Sequence, residues 1–219
     1  MYKKYLKRIF DFSVSLVSII VLSPVILLIA LLIKINLGSP VLYNPQRPGK
    51  SGKIFTMYKF RTMIEATDEQ GFNLPDSERI TPLGGKLRST SLDELPELIN
   101  VLKGDMSLVG PRPLAKKYLP YYSQQQNERH SVLPGITGLA QINGRNTINW
   151  EERFDHDLKY IESITFMGDL KILAMTVLRV LKRSDIGSRH EQDTDIGIED
   201  FDKYCQRKQS ERSLTNNLS

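Results

Sequence analysis

Phe12-Ser-Val-Ser-Leu-Val-Ser-Ile-Ile-Val-Leu-Ser-Pro-Val-Ile-Leu-Leu-Ile-Ala-Leu-Leu-Ile33 is a run of twenty-two residues without a charge. As a straight helix it would measure about 33 Å, enough to cross the hydrocarbon core of a bilayer. Lys3, Lys4, Lys7 and Arg8 stand in front of it, as they would before a secretory signal. The run is too long for a signal's apolar region, however, and no small-residue cleavage site follows. It reads as a membrane helix, and Ser23-Pro24 sits at its centre. Pro24 removes the bond to the Ile20 carbonyl and clashes with it, which predicts a kink.

The flanks of the run decide its topology. Lys34, Arg47, Lys50, Lys53, Lys59 and Arg61 follow it, with no acid before Glu65. Basic flanks prefer the cytoplasmic side. A straight crossing would place one of them outside. A helix that enters, bends at Ser23-Pro24 and returns keeps both inside, so a re-entrant, monotopic anchor is expected over residues 1–36. The charge follows the same division. The whole chain of 219 residues carries +5, but residues 1–64 hold ten Lys/Arg against the single acid Asp11, and the remainder is acidic. A basic segment beside an apolar one suits an anionic lipid surface, here inner-leaflet phospholipid. The apolar run between the basic residues decides for lipid, and nucleic acid is not expected as a partner. One cysteine, Cys205, rules out an internal disulfide and fits a reducing compartment.

Residues 40–62 read as an edge β-hairpin. Val41–Tyr43 and Ile54–Tyr58 carry strand-forming residues, and Pro45 to Lys53 is a turn-rich connector. Lys59 and Arg61, two apart, would share a face, either solvated, against lipid, or turned to a substrate phosphate. Residues 64–90, with Gly71, Pro75, Pro82, Gly84 and Gly85, read as loop.

The chemistry concentrates in Arg88-Ser-Thr-Ser-Leu-Asp-Glu-Leu-Pro-Glu-Leu98. Ser91 and Glu94 have the spacing of a capping box, and a helix starting near Asp93 would put Pro96 in its first turn. Asp93 and Glu94 are also two adjacent carboxylates, with Arg88 upstream and Gly110-Pro-Arg-Pro113 downstream, where prolines on both sides stiffen Arg112. Spacing alone leaves the capping and catalytic readings both open. The second would use Arg88 and Arg112 to grip a phosphate. Leu95, Leu98, Ile99 and Leu102 have helical spacing, Gly104 ends that helix, and Met106–Val109 reads as a strand.

Three motifs in order, Leu92–Leu98, Asn100–Pro113 and Pro134–Asn146, together with Ser23-Pro24 and Tyr58-Lys-Phe-Arg-Thr-Met63, resemble the bacterial sugar transferases, the small monotopic phosphoglycosyl transferases. The resemblance runs from about residue 7 to 183. It implies transfer of a sugar 1-phosphate from a UDP-sugar to undecaprenyl phosphate with release of UMP. It also implies a Mg²⁺ requirement and a catalytic domain on the cytoplasmic face of the bacterial inner membrane. It makes Asp93 the nucleophile that carries the phosphosugar, Glu94 the second acid and Lys59 the hairpin lysine, and it implicates Asp169. Asp93, with Glu94 or Asp169, would then supply carboxylates to the metal.

The expected fold class is α+β, predominantly helical. It comprises the re-entrant helix, a small β-hairpin and amphipathic interfacial helices, with a catalytic domain at 37–183 and a flexible tail at 184–219 holding a short helix near Ile198–Tyr204. Gln141 and Arg145 could contact the nucleotide or sugar, or merely form a turn. Trp150, Phe154, Leu158 and Ile161 make a packing stripe. Leu170–Leu181 is an apolar helix for the core or the headgroup layer. His130, His156 and His190 lack metal-ligand spacing. The pattern names no particular sugar and leaves a homo-oligomer open.

Overall fold

The computed structural model describes residues 2–144, 148–182, 201 and 203–208. A π-helical turn at Tyr2–Leu6 opens into helix α1 (Lys7–Leu37), which leads into a body of short helices and three two-stranded ladders. The fold is α+β and mostly helical.

Pro24 does not end α1, whose helical assignment is unbroken through it. The Ser23 hydroxyl donates to the Ile20 carbonyl at 2.8 Å, the acceptor that Pro24 cannot serve. Both ends of α1 are fastened to the same body. At the start, Arg8 donates to the carbonyls of Val101 and Leu102, and Asp11 accepts from the Ser107 hydroxyl and the Leu108 amide. At the end, Ile29 and Ile33 pack with Phe60 and Leu87, and the Arg61 guanidinium donates to the carbonyls of Leu37 and Ser39. The apolar middle is bare: only 11% of the most apolar window is buried, although the helix is long and apolar enough to cross a membrane.

The hairpin forms as two nested antiparallel pairs. β1 (Leu42–Tyr43) pairs with β4 (Lys59–Phe60), and β2 (Gln46–Pro48) pairs with β3 (Ile54–Thr56). The expected strand Ile54–Tyr58 breaks after Thr56, and Asn100 fills the break. Its amide nitrogen donates to the Thr56 carbonyl at 2.7 Å and its oxygen accepts the Tyr58 N–H at 2.9 Å.

Residues 64–90 are not all loop. Short helices α2 (Asp76–Arg79) and α3 (Pro82–Ser89) lie there, so the Gly84-Gly85 pair is helical. The Thr81 side chain caps α3 and Pro82 occupies its first turn, where its missing N–H costs nothing. Gly84 is needed for close approach: a Cβ there would lie 1.9 Å from the Thr62 carbonyl oxygen.

The Ser91 capping box is not formed. Ser91 is left-handed (φ 57°) and caps nothing with its side chain. A 3₁₀ turn, Leu92–Glu94, follows, and α4 begins only at Glu97 and runs to Lys103. Pro96 precedes α4, where no N–H is required, and left-handed Gly104 closes it. Next, β5 (Ser107–Val109) pairs in parallel with β6 (Gly135–Thr137). Between them, α5 (Gln124–Asn127) starts with a formed Ser123/Gln126 capping box. After β6 come α6 (Leu139–Ile142), α7 (Trp150–Glu162) and α8 (Phe166–Lys182).

The main core joins Met57, Leu98, Val101, Met106, Val109, Tyr160 and Ile172. A second core is aromatic: Tyr118, with Trp150 and Phe154 from the expected stripe, surrounds Phe201, which has no exposed surface. Of the expected tail, Phe201 and residues 203–208 are described and lie against the body: Tyr204 donates to Glu151, and Lys208 pairs with Glu151 at 3.5 Å. His130 is structural. It bonds Asn127, and burial pushes its imidazole pKa down to about 4. His190 lies outside the described residues.

Candidate active site

The left-handed turn at Ser91 drives the Leu92–Glu94 turn into the body, so Asp93 (9% exposed) and Glu94 (7%) are buried side by side. Strand β4 delivers Lys59 from the hairpin. Its ammonium lies 3.1 Å from Glu94 Oε1 and 3.3 Å from Glu97 Oε1. The rigid Pro111-Arg112-Pro113 segment after β5 delivers Arg112, which donates to Glu94 Oε1 at 2.6 Å. One carboxylate oxygen thus accepts from two cations.

Glu97 belongs to this cluster although its motif position suggested no role. It is 1% exposed, and its 3.3 Å contact with Lys59 is an ion pair without a well-directed hydrogen bond. Burial pushes its carboxyl pKa up to about 7, with Lys59 opposing and Glu94 adding to the rise. For Lys59, burial lowers the pKa, but the carboxylates of Glu94 and Glu97 outweigh it and the net shift is upward. The raised pKa of Glu97 fits a proton held there, which a metal cation in the cluster would favour releasing.

Arg112 is held from behind. Its carbonyl accepts from Arg129 at 2.7 Å, and Arg129 grips Asp157 through Nε (3.1 Å) and a terminal nitrogen (2.7 Å). Arg129 is 3% exposed, and Tyr122 and Phe154 lie across its guanidinium. Nothing in the local sequence marks this pair, because its members are far apart along the chain.

A cavity of about 260 Å³ adjoins the cluster, with Glu94 and Arg112 in its wall beside Gln141, Thr176 and Arg179. Gln141 thus stands where a site residue is expected, whereas Arg145 lies outside the described residues. Arg88 bonds the Thr62 hydroxyl at 2.9 Å and meets the Met63 sulfur at 2.9 Å, which bind the end of the hairpin to α3. Arg61 closes the end of α1 rather than joining Lys59.

The donors around Asp169 weigh against it as a metal ligand. It is fully buried, with Oδ2 accepting from the Tyr2 hydroxyl at 2.7 Å and the Lys7 ammonium at 2.6 Å, and Oδ1 from the Tyr160 hydroxyl at 2.9 Å. A metal there would displace an ammonium and two hydroxyls. Among the described residues, no three His, Cys, Asp or Glu side chains converge as a ready-made metal site. Mg²⁺ does not need one, since it commonly rests on one or two carboxylates plus substrate phosphates. The buried Asp93–Glu94 pair fits that requirement, and Asp169 does not.

The profile of the family described as bacterial sugar transferase matches residues 2–183, and the chain belongs to that family. It is 51% identical over 176 residues to the uncharacterized sugar transferase EpsL of Bacillus subtilis, covering 80% of this chain and 87% of that one. It is 40% identical over 198 residues to the undecaprenyl-phosphate galactose phosphotransferase of Salmonella typhimurium, covering 82% of this chain and 41% of the relative. Over 183 residues it is 42% identical to the UDP-glucose:undecaprenyl-phosphate glucose-1-phosphate transferase of Klebsiella pneumoniae, covering 79% and 39%. The chain thus spans most of the Bacillus protein and about two fifths of the other two.

Proposed function

We propose that this protein moves a sugar 1-phosphate from a UDP-sugar to undecaprenyl phosphate at the cytoplasmic face of the bacterial inner membrane. UMP leaves, and Asp93 carries the phosphosugar between the two steps. This would be the first membrane step in building a surface glycoconjugate such as an exopolysaccharide. The observation that carries the reading is the buried Asp93–Glu94 pair, flanked by Lys59 and Arg112, in a chain with a bare apolar helix.

In the first step the Asp93 carboxylate attacks the sugar-proximal phosphorus of the donor. The bond from that phosphorus to the bridging oxygen breaks, and UMP takes the electron pair. In the second step an oxygen of the lipid phosphate attacks the same phosphorus, and Asp93 regains its free carboxylate. Two displacements replace one difficult transfer. Lys59 and Arg112 hold Glu94 in place and present positive charge to the phosphates, preorganised in a site that excludes most water. Arg88 is the remaining candidate phosphate ligand, and Gln141 and Arg145 are the candidates for the nucleotide or sugar. Mg²⁺, held by Asp93 with Glu94 beside it, would neutralise the diphosphate and make UMP a better leaving group.

The membrane arrangement follows from α1. Both of its ends are fastened to one body by Arg8 and Arg61, and both flanks are basic, which suits a re-entrant helix that keeps both flanks at the inner leaflet. Phe166, Met167, Leu170, Val177, Leu178 and Leu181 recur at helical spacing and are exposed on α8, which suits an amphipathic helix lying among the phospholipid headgroups.

Mass spectrometry of the protein mixed with UDP-galactose or UDP-glucose, without lipid, tests the chemistry. The expected result is one UMP per protein and a hexose-phosphate adduct on the peptide containing Asp93. Transfer in a single step, with inversion at phosphorus and no adduct, would overturn it.

A further inference from the structure

The wall of the cavity beside Glu94 combines apolar and polar side chains. Leu22 of α1, Leu98 of α4, Ile142 of α6 and Val180 of α8 make an apolar part of its wall. Arg112, Gln141 and Arg179 make a polar part beside Glu94. Leu22 lies two residues before Pro24, so the apolar part is built on the helix whose exposed surface is itself apolar. A ligand with a hydrocarbon tail and an anionic head finds partners of both kinds in that wall.

Gln141 marks the cavity as a binding position. Its amide nitrogen and oxygen are both buried, and among the described residues neither makes a hydrogen bond. Buried amides are ordinarily paired, and an unpaired one calls for a partner supplied from outside the protein. The side chain folds over Gly138, where a Cβ would stand 2.7 Å from Oε1. The wall behind it is stiff: the Thr176 hydroxyl donates to the Ile172 carbonyl at 2.8 Å, which leaves the Thr137 hydroxyl to donate to Thr176 at 2.7 Å.

We propose that this cavity seats the phosphate and first isoprene units of the polyprenyl acceptor, with Arg179 of α8 as the residue that binds the acceptor phosphate. The proposal rests on the two-step reading above and deepens it. The second displacement needs a phosphate on the lipid side of Asp93, and Arg179 comes from an element that the donor-facing motifs do not include. Gln141 Nε2 donates to that phosphate, and Oε1 accepts from a hydroxyl of the sugar held on Asp93. A phosphate oxygen of the lipid then attacks phosphorus, the bond from phosphorus to the Asp93 oxygen breaks, and its electron pair returns to the carboxylate. The lipid reaches the site along α1 without its chain crossing water.

The test compares Arg179→Ala, Arg179→Lys and the cavity-filling Val180→Trp in full-length protein in nanodiscs. With UDP-galactose or UDP-glucose and no lipid, the UMP burst should stay within about twofold of wild type in the two Arg179 variants. With polyprenyl phosphate, the KM for lipid should rise about tenfold or more in Arg179→Ala and Val180→Trp, and less in Arg179→Lys, while the KM for donor stays within about twofold in the Arg179 variants. An unchanged lipid KM, or an equal loss in the burst, overturns the assignment. A polyprenyl phosphate carrying a diazirine near its head supplies a readout that needs no turnover. Crosslinks should fall on peptides containing Ile136–Ile142 or Thr176–Val180, and crosslinks confined elsewhere overturn the proposal. Failure of the covalent reading shows itself differently, as a wild-type protein with no burst that still crosslinks in the cavity.

Discussion

Two clusters of buried acids lie in this molecule, and they differ in how their negative charge is met. Asp11 and Asp169 meet Lys7, and hydroxyls from Tyr2, Tyr160 and Ser107 and the Leu108 amide cover the rest of their oxygens. Glu94 and Glu97 both meet Lys59, and Arg112 reaches Glu94, but Glu97 Oε1 has no well-directed donor among the described residues. The first cluster has a donor on each carboxylate oxygen and joins α1 to α7, β5 and α8. The second leaves Glu97 Oε1 without one and borders a cavity. Burial of acids is therefore a poor guide to function, and the balance of donors against carboxylate oxygens is a better one.

The comparison breaks most visibly at Asp93. If Asp93 is the nucleophile as proposed, Asp93→Asn should lower UMP release by at least ~10³-fold with the melting temperature nearly unchanged, because the attacking group is lost and the packing is not. The other cluster should behave in the opposite way. Asp169→Ala strands Lys7 and two tyrosine hydroxyls and should cost about 3–5 kcal/mol of stability. Activity should then fall in step with the folded fraction, with the KM for donor unchanged. Adding Lys7→Met should recover part of the stability, and a thermal melt of the single and double variants checks it.

A pH series sharpens the contrast. Because the folded-state pKa of Glu97 is raised from 4.5 to about 7, the native state binds its proton more tightly than the unfolded chain does. Its contribution to stability is then fully present below about pH 4.5 and lost as pH rises through about 7. Relative to wild type, Glu97→Gln should remove on the order of 2 kcal/mol of this pH dependence between pH 5 and 8, read as a flatter melting temperature profile. The smallest effect belongs to the anchor. Ser23→Ala leaves the Ile20 carbonyl without its donor and should cost about 1 kcal/mol, visible as faster hydrogen exchange in the middle of α1.

Much of the site is legible in the amino-acid order alone. Lys59, Asp93, Glu94 and Arg112 lie in short motifs that can be read locally, although only the fold brings Lys59 and Arg112 to Glu94. Glu97 stays hidden because its state depends on β4 closing over it, which no local pattern records. Ser91 misleads for a related reason: a capping box is a local device, and tertiary packing turns the chain left-handed there instead. Gly84-Gly85 reads as loop by composition, yet one of the two glycines serves a helix that lies against the Thr62 carbonyl. The Thr81-Pro82 start signal is present and outweighed by those glycines. Arg129, Asp157 and Arg179 reach the site from distant segments, so only the folded chain brings them there.

Phe201 carries a consequence for where the molecule can be cut. The shared family region stops at residue 183, yet the ring that closes the aromatic core comes from beyond it. Trimming the chain at that boundary would uncover the faces of Tyr118, Trp150 and Phe154 next to the guanidinium of Arg129, which steadies Arg112. The shortened protein should bind apolar dyes and clump before it loses any catalytic group, so the Phe201 ring acts as a stopper for a region that the family portion alone leaves open.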